Sequence, residues 1–156
     1  MIIRSVKKQD IPSMVMLSNI KRTEFEKVIP YFWQKAENAD DLQQKWFFEL
    51  LNQSDYFIYL AEENSQTIGF IIGRNIKAPE VYEPGGFTLM IDDFCVASAN
   101  LWEPVGNKLI NAVCQKAQQH GATQLLVVCG AHDHDKKSFL KNQKLEIASE
   151  WYVKPI

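Results

Sequence analysis

The sequence predicts an α/β fold in one domain spanning residues 1–156, a mixed central β-sheet flanked by helices in the order βααβββαβαβ. Two observations carry that reading. Apolar residues recur at helical spacing up to Asn52, alternate from Tyr56, and return to helical spacing after Val105. Clusters of Gly, Pro, Asn and Ser separate these stretches. A chain of 156 residues that is 46% hydrophobic can bury one sizeable core without disulfides or metals.

The elements follow in order. Ile2 to Val6 alternates weakly and reads as a first strand. Asp10 offers an N-cap, Pro12 suits a first helical turn, and Ile11, Met14, Val15 and Leu17 form an apolar stripe, so a helix starts near residue 11. Pro30 breaks the aromatic segment from Glu26 to Lys35. Asp40 and Gln43 resemble a capping box for a helix carrying Leu42, Trp46, Phe47, Leu50 and Leu51 and ending near Asn52. Tyr56–Glu62 and Thr67–Arg74 read as strands around a polar turn, and Phe87–Val96 as a long strand after a loop holding Pro79, Pro84, Gly85 and Gly86. Val105, Leu109, Ile110, Val113 and Ala117 mark a helix that Gly121 stops. Gln124–Cys129 is continuously apolar, as a strand covered on both faces would be. A short helix around Phe139 and an alternating last strand, Glu146–Val153, complete the order.

Lys plus Arg total 17 and Asp plus Glu 19, so the net charge of -2 argues against nucleic acid or an anionic membrane as partner. No apolar run approaches the ~20 residues of a membrane span, and the N-terminus lacks a signal peptide's apolar stretch, so a cytoplasmic chain is expected. Cys95, Cys114 and Cys129 read as reduced, packed thiols. Lys136, Lys137, Lys141 and Lys144 read as a solvated helix face.

Walker A, G-x-G-x-x-G, G-x-S-x-G and H-E-x-x-H patterns are all absent. The run His132-Asp133-His134-Asp135 alternates metal-ligand types. Four adjacent loop residues rarely converge on one ion, so no metal is expected, and Asp133 or Asp135 is read as the cap of the next helix. Asp92 and Asp93 are consecutive on a strand, which predicts side chains on opposite faces. A carboxylate between Ile91 and Phe94 costs desolvation unless something uses it, so the pair is either hydrogen-bonded structure or a functional site.

The run IDDFCVASANLWEPVG, Ile91 to Gly106, resembles the GNAT acyltransferases, which move an acetyl group from acetyl-CoA to an amine. It lines up without a gap on polyamine-type members, in which Glu-Asp, a hydrophobic pair and Val lead into Arg-Gly-x-Gly-x-Gly. The hairpin with Ala61 and Gly69, and the run from Asp133 to Leu145, resemble other parts of the family, so the likeness spans essentially the whole chain. It implies a single-domain GNAT fold and acetyl-CoA as co-substrate, with CoA touching Cys95, Val96, Leu101, Trp102, Glu103, Val105, Gly106, Asn107, Lys108 and Asp133.

In the family the backbone N–H groups of the turn before a helix hold the CoA diphosphate, aided by the helix dipole. Here Leu101 replaces the usual Arg or Gln, and Trp102 and Pro104 replace glycines, so the resemblance implies a degenerate CoA loop. One missing charge-assisted hydrogen bond costs about 1.5–3 kcal/mol. By resemblance Asp92 falls at the place of a general-base Glu, with Asp93 beside it. Leu140 stands where the family has a tyrosine acid, for which Tyr152 is the substitute candidate. Tyr31, Trp33 and Tyr82 are candidates to shape an acceptor pocket. Two readings follow: an N-acetyltransferase acting on a small-molecule or peptide amine, or a catalytically inactive GNAT-fold binding module. A homodimer stays open.

Overall fold

The computed structural model describes all 156 residues. Its elements are β1 (Ile2–Ser5), α1 (Ile11–Val28), α2 (Pro30–Trp33), α3 (Ala39–Leu50), β2 (Tyr56–Glu63), β3 (Gln66–Ile76), β4 (Phe87–Val96), α4 (Asn107–Gln118), β5 (Ala122–Val127) and α5 (His134–Asn142). The strands lie side by side in chain order, β1 to β4 antiparallel and β5 parallel to β4. Asn64 and Ser65, at φ 50° and 63°, form the tight turn of the β2–β3 hairpin. The parallel β4–β5 pair needs a crossover, which α4 supplies before Gly121, at φ +86°, ends it.

Helices cover the two faces of the sheet separately. Leu109, Val113 and Ala117 of α4 and Phe139 of α5 pack with Phe57, Ile71, Leu89, Ile91 and Phe94. Met14 and Leu17 of α1 and Phe47 and Leu50 of α3 pack with Leu60, Phe70 and Ile72. Each such side chain contributes about 1.5–3 kcal/mol by leaving water.

Three expectations change. The segment Glu146–Val153 forms no strand and pairs with none, so the order ends at α5. No residue of β5 is fully buried. Leu125 and Val127 lean on the α4 side of the core, while Leu126 and Val128 face solvent, because β5 is the sheet's edge. The capping box at α3 does not form, since Asp40 pairs with Arg22 at 2.8 Å and Gln43 turns to Asp93 at 3.3 Å.

Asp10 also works differently from a helix cap. Its carboxylate accepts two bonds from Arg4, at 2.7 and 2.8 Å, and one from the Lys7 N–H at 2.7 Å. Arg4 also reaches Glu62 at 2.6 Å, tying β1, β2 and the start of α1 together. The Arg4 hydrogen bonds hold the Asp10 carboxyl below its usual range. Its stabilising contribution is therefore present above the unfolded value near ~3.9 and lost as pH falls through the lower folded one. Urea denaturation should find Asp10→Asn less stable than the parent at neutral pH, with the gap closing below about pH 4.

Candidate active site

A bulge in β4 decides where the two acids go. Ile72 of β3 stands opposite Asp93 and Gly73 opposite Ile91, leaving Asp92 as the extra residue. Ile91 and Phe94, three positions apart, therefore both enter the α4-side core. Asp92 and Asp93 share the other face, where α1 and α3 pack, against the strict alternation expected from sequence. Asp92 is exposed beside Tyr56, Ile72 and Arg74. Asp93 turns under the helices.

The Asp93 carboxylate accepts from Ser18 Oγ of α1 at 3.3 Å, Gln43 Nε2 of α3 at 3.3 Å and Cys95 Sγ at 3.5 Å. Burial pushes its pKa up, and Asp92 adds to the rise, while the Lys136 ammonium and the Cys95 and Ser18 bonds oppose it. Burial also pushes the Cys95 thiol up, so it is no thiolate at neutral pH. Gln43 Oε1 is buried without a partner and faces the cost of an unmade bond.

Beyond Ile91 the two parallel strands part. Their pairing ends at Ile91 and Val127, with Val128 N–H on Ile91 O at 2.9 Å, while β4 runs on to Val96. Lys136 spans the opening: its ammonium donates to Val128 O at 2.9 Å and lies 5.5 Å from the Phe94 ring and 5.9 Å from Trp102. It is 5% exposed, unlike its solvated neighbours Lys137, Lys141 and Lys144. Asp133 caps α5 by accepting the Lys136 N–H at 3.2 Å, and pairs with Lys21 of α1 at 3.4 Å. After the divergence Gly130 lies under Phe25 of α1, so closely that a methyl group at 130 would run into the ring.

The Cys95 and Val96 amides point opposite ways. Ala97 N–H bonds Ile68 O, and alternation then puts the Cys95 amide on β3 and the Val96 amide on the open side. The following turn consumes most of its own donors. Leu101 N–H bonds Ser98 O at 3.0 Å, Trp102 N–H bonds Ala99 O, and Pro104 has none. Trp102–Gly106 is a π-helical turn running into α4, which directs the closing amides to carbonyls five residues back.

The Trp102 indole, 3% exposed, stacks on Phe139 at 5.4 Å and meets Phe94 edge-on at 5.0 Å. Val105 is buried beneath it. Gly106 makes room for the stack, since a methyl group there would lie 3.2 Å from both Phe139 and Trp102. Exposed Glu103 accepts from Asn107 at 3.1 Å and Asn142 at 2.9 Å, joining α4 to α5, and Lys108 points to solvent.

The other candidates lie apart. Tyr152 is 86% exposed on the unpaired tail, its hydroxyl on Glu150 at 2.7 Å. Tyr31 and Trp33 are on α2, where Tyr31 donates to Val153 O at 3.1 Å and Trp33 packs on Phe25 at 5.4 Å. Tyr82 is exposed in the β3–β4 loop. Leu140 is buried in the core. The residues that sequence reading missed are Ser18, Lys21, Gln43 and Lys136. Ser18 gave a signal, as a polar residue adjoining the apolar stripe of α1.

A sequence profile of the acetyltransferase (GNAT) family matches residues 15–143. The chain belongs to the GNAT acetyltransferase family. No curated protein matches it by sequence. Among solved structures, a mutant of the BH1408 protein from Bacillus halodurans superposes with a TM-score of 0.85 at 16% identity, covering 100% of this chain and 99% of that one. A predicted acetyltransferase from Clostridium acetobutylicum, crystallised with acetyl-CoA, gives 0.73 at 17% identity over 99% and 95% of the two chains. An aminoglycoside 6'-N-acetyltransferase from Acinetobacter haemolyticus gives 0.74 at 13% over 100% and 99%. At such identities the likeness establishes the GNAT fold. For this member, Phe139→Ala should lower unfolding free energy by about 3–5 kcal/mol, because it removes the partner of the buried indole and leaves a cavity. Denaturant titration followed by tryptophan fluorescence measures it.

Proposed function

We propose that the chain transfers an acetyl group from acetyl-CoA to a primary amine, with Asp93 as the proton acceptor. The observation that carries this reading is the half-buried Asp93 carboxylate with its raised pKa, set between α1, α3 and the divergence of β4 from β5. An amine arriving as an ammonium ion must lose a proton before its lone pair can attack a carbonyl. Asp93 takes that proton. Ser18 Oγ and Gln43 Nε2, both donating to the carboxylate, hold it in place for that transfer. Asp92, exposed on the bulge, draws cations toward the recess. The polyamine-type pattern around Asp92 supports a small diamine or polyamine, and an exposed peptide amine has the same chemistry.

For acetyl-CoA itself the diphosphate end does not fit the turn as it stands. Its Leu101 and Trp102 amides are engaged, Pro104 offers none, and Trp102 and Phe139 fill the cradle beside Gly106. This supports the reading of the loop as a degenerate CoA grip, and no step is drawn through the thioester. The same observation, with Lys136 lying across the strand opening, favours a second reading: a GNAT-fold module that binds an amine without transferring to it.

Two measurements separate these readings. Ligand at a hundred times its dissociation constant adds about 2.7 kcal/mol, so an acetyltransferase shows a clear rise in Tm with excess acetyl-CoA. An unchanged Tm at millimolar acetyl-CoA selects the module. Asp93→Asn should retain the shift while thiol release with a primary amine falls by about 10²–10⁴-fold. Asp92→Asn should leave turnover within a few-fold. For the parent, turnover should rise with pH through an inflection above the ordinary carboxylate value of ~3.9, as Asp93 loses its proton.

A further inference from the structure

Lys136 is the one buried lysine of the chain, and its ammonium forms no ion pair. Its contacts are neutral: Val128 O at 2.9 Å, and the Phe94 and Trp102 rings at 5.5 and 5.9 Å. Asp133, which accepts the Lys136 backbone N–H, is committed to Lys21 of α1. An ammonium taken out of water is costly unless an anion lies near it. The place of this one follows from the strand opening. Val128 N–H still bonds Ile91 O, and in a parallel ladder the carbonyl of the same residue would meet a later amide of β4. β4 has turned away there, and the lysine takes the carbonyl instead.

Asp93 has the matching deficit. Its carboxylate is half-buried, and its donors Ser18, Gln43 and Cys95 are all neutral. The charged groups around it are otherwise spent or unhelpful. Lys21 of α1 serves Asp133 and Glu24, and Arg22 serves Asp40 of α3. Arg74 of β3 lies over the Tyr56 ring beside exposed Asp92, and Asp92 itself opposes ionisation of its neighbour. Burial raises the proton affinity of Asp93, and the Lys136 ammonium is the strongest influence against that rise.

We propose that Lys136 is a positioning residue for the transfer: its ammonium, lodged where β4 and β5 part, keeps the Asp93 carboxyl ionised at neutral pH and so able to accept the proton of the incoming amine. This role rests on that of Asp93 as proton acceptor. Lys136 makes no bond to substrate and exchanges no proton. A salt bridge would occupy the carboxylate oxygens and leave them a poor base. A cation beyond bonding distance in a water-poor recess favours the charged form and leaves the oxygens free.

Lys136→Gln and Lys136→Arg separate charge from packing. Both keep a donor for Val128 O, and Asp133 caps α5 through the backbone N–H of residue 136 whatever its side chain. With Lys136→Gln the inflection of turnover against pH should rise by about one unit. Below it turnover should fall about tenfold, and at higher pH it should converge on the parent's. Lys136→Arg should keep the parent inflection. A residue that served packing alone would lower turnover equally at every pH. Carbon-13 NMR of the Asp93 carboxyl, assigned by its loss in Asp93→Asn, reads the same shift without turnover. A parent that turns nothing over removes the catalytic role of Asp93, whereas an active parent whose Asp93 midpoint is unmoved by Lys136→Gln overturns the role of Lys136 alone. So does an arginine variant that titrates like the glutamine one.

Discussion

One extra residue in β4 governs the centre of this molecule. Without the bulge at Asp92, strict alternation would send one acid of the pair into the packed face under α4, beside Ile91 and Val113 or beside Phe94. The bulge turns both acids toward α1 and α3. It also coincides with the point where β4 stops pairing with β5, so a half-buried carboxylate and an opening between parallel strands arise at one place in the chain. The helices then supply what a desolvated carboxylate requires. Ser18 and Gln43 donate to it, and Lys136 approaches from the far side of the sheet with a compensating charge.

The turn before α4 pairs its first amides, those of Leu101 and Trp102, with carbonyls of its own. A phosphate-holding turn leaves its amides unpaired and its surface clear of bulky side chains. This one closes short-range hydrogen bonds from Leu101 onward and inserts an indole between Phe94 and Phe139. Gly106 is retained, but its missing side chain serves ring packing. The same residue type at the same place can therefore serve backbone approach to a ligand or close contact of aromatic rings. Only the neighbours distinguish the two uses.

Much of the architecture was legible in the sequence because it rests on local signals. Pro12, Pro30 and Gly121 punctuate the helices where expected, and the Asn64–Ser65 turn separates two alternating runs. What escaped depends on partners distant in the chain. Asp10 and Gln43 look like capping residues until Arg4 and Asp93 are folded against them. Lys136 looks solvated until Val128 O lies above it. The bulge has no residue signature of its own, so the shared face of Asp92 and Asp93 could not be read from spacing. The last strand failed for a related reason: alternation predicts a capacity to pair, and pairing needs a neighbour.

The contact between Gly130 and Phe25 sets how closely α1 approaches the loop after β5. α1 carries Ser18 and Lys21 as well as Phe25, and the helix rests on the loop after β5 through a ring laid over a residue with no side chain. Any larger residue at 130 acts as a spacer, tilting the C-terminal half of α1 outward. Ser18 and Lys21 would move with it, loosening their hold on Asp93 and Asp133. The hold on two carboxylates of the chain thus depends on the absence of a side chain at a distant loop position.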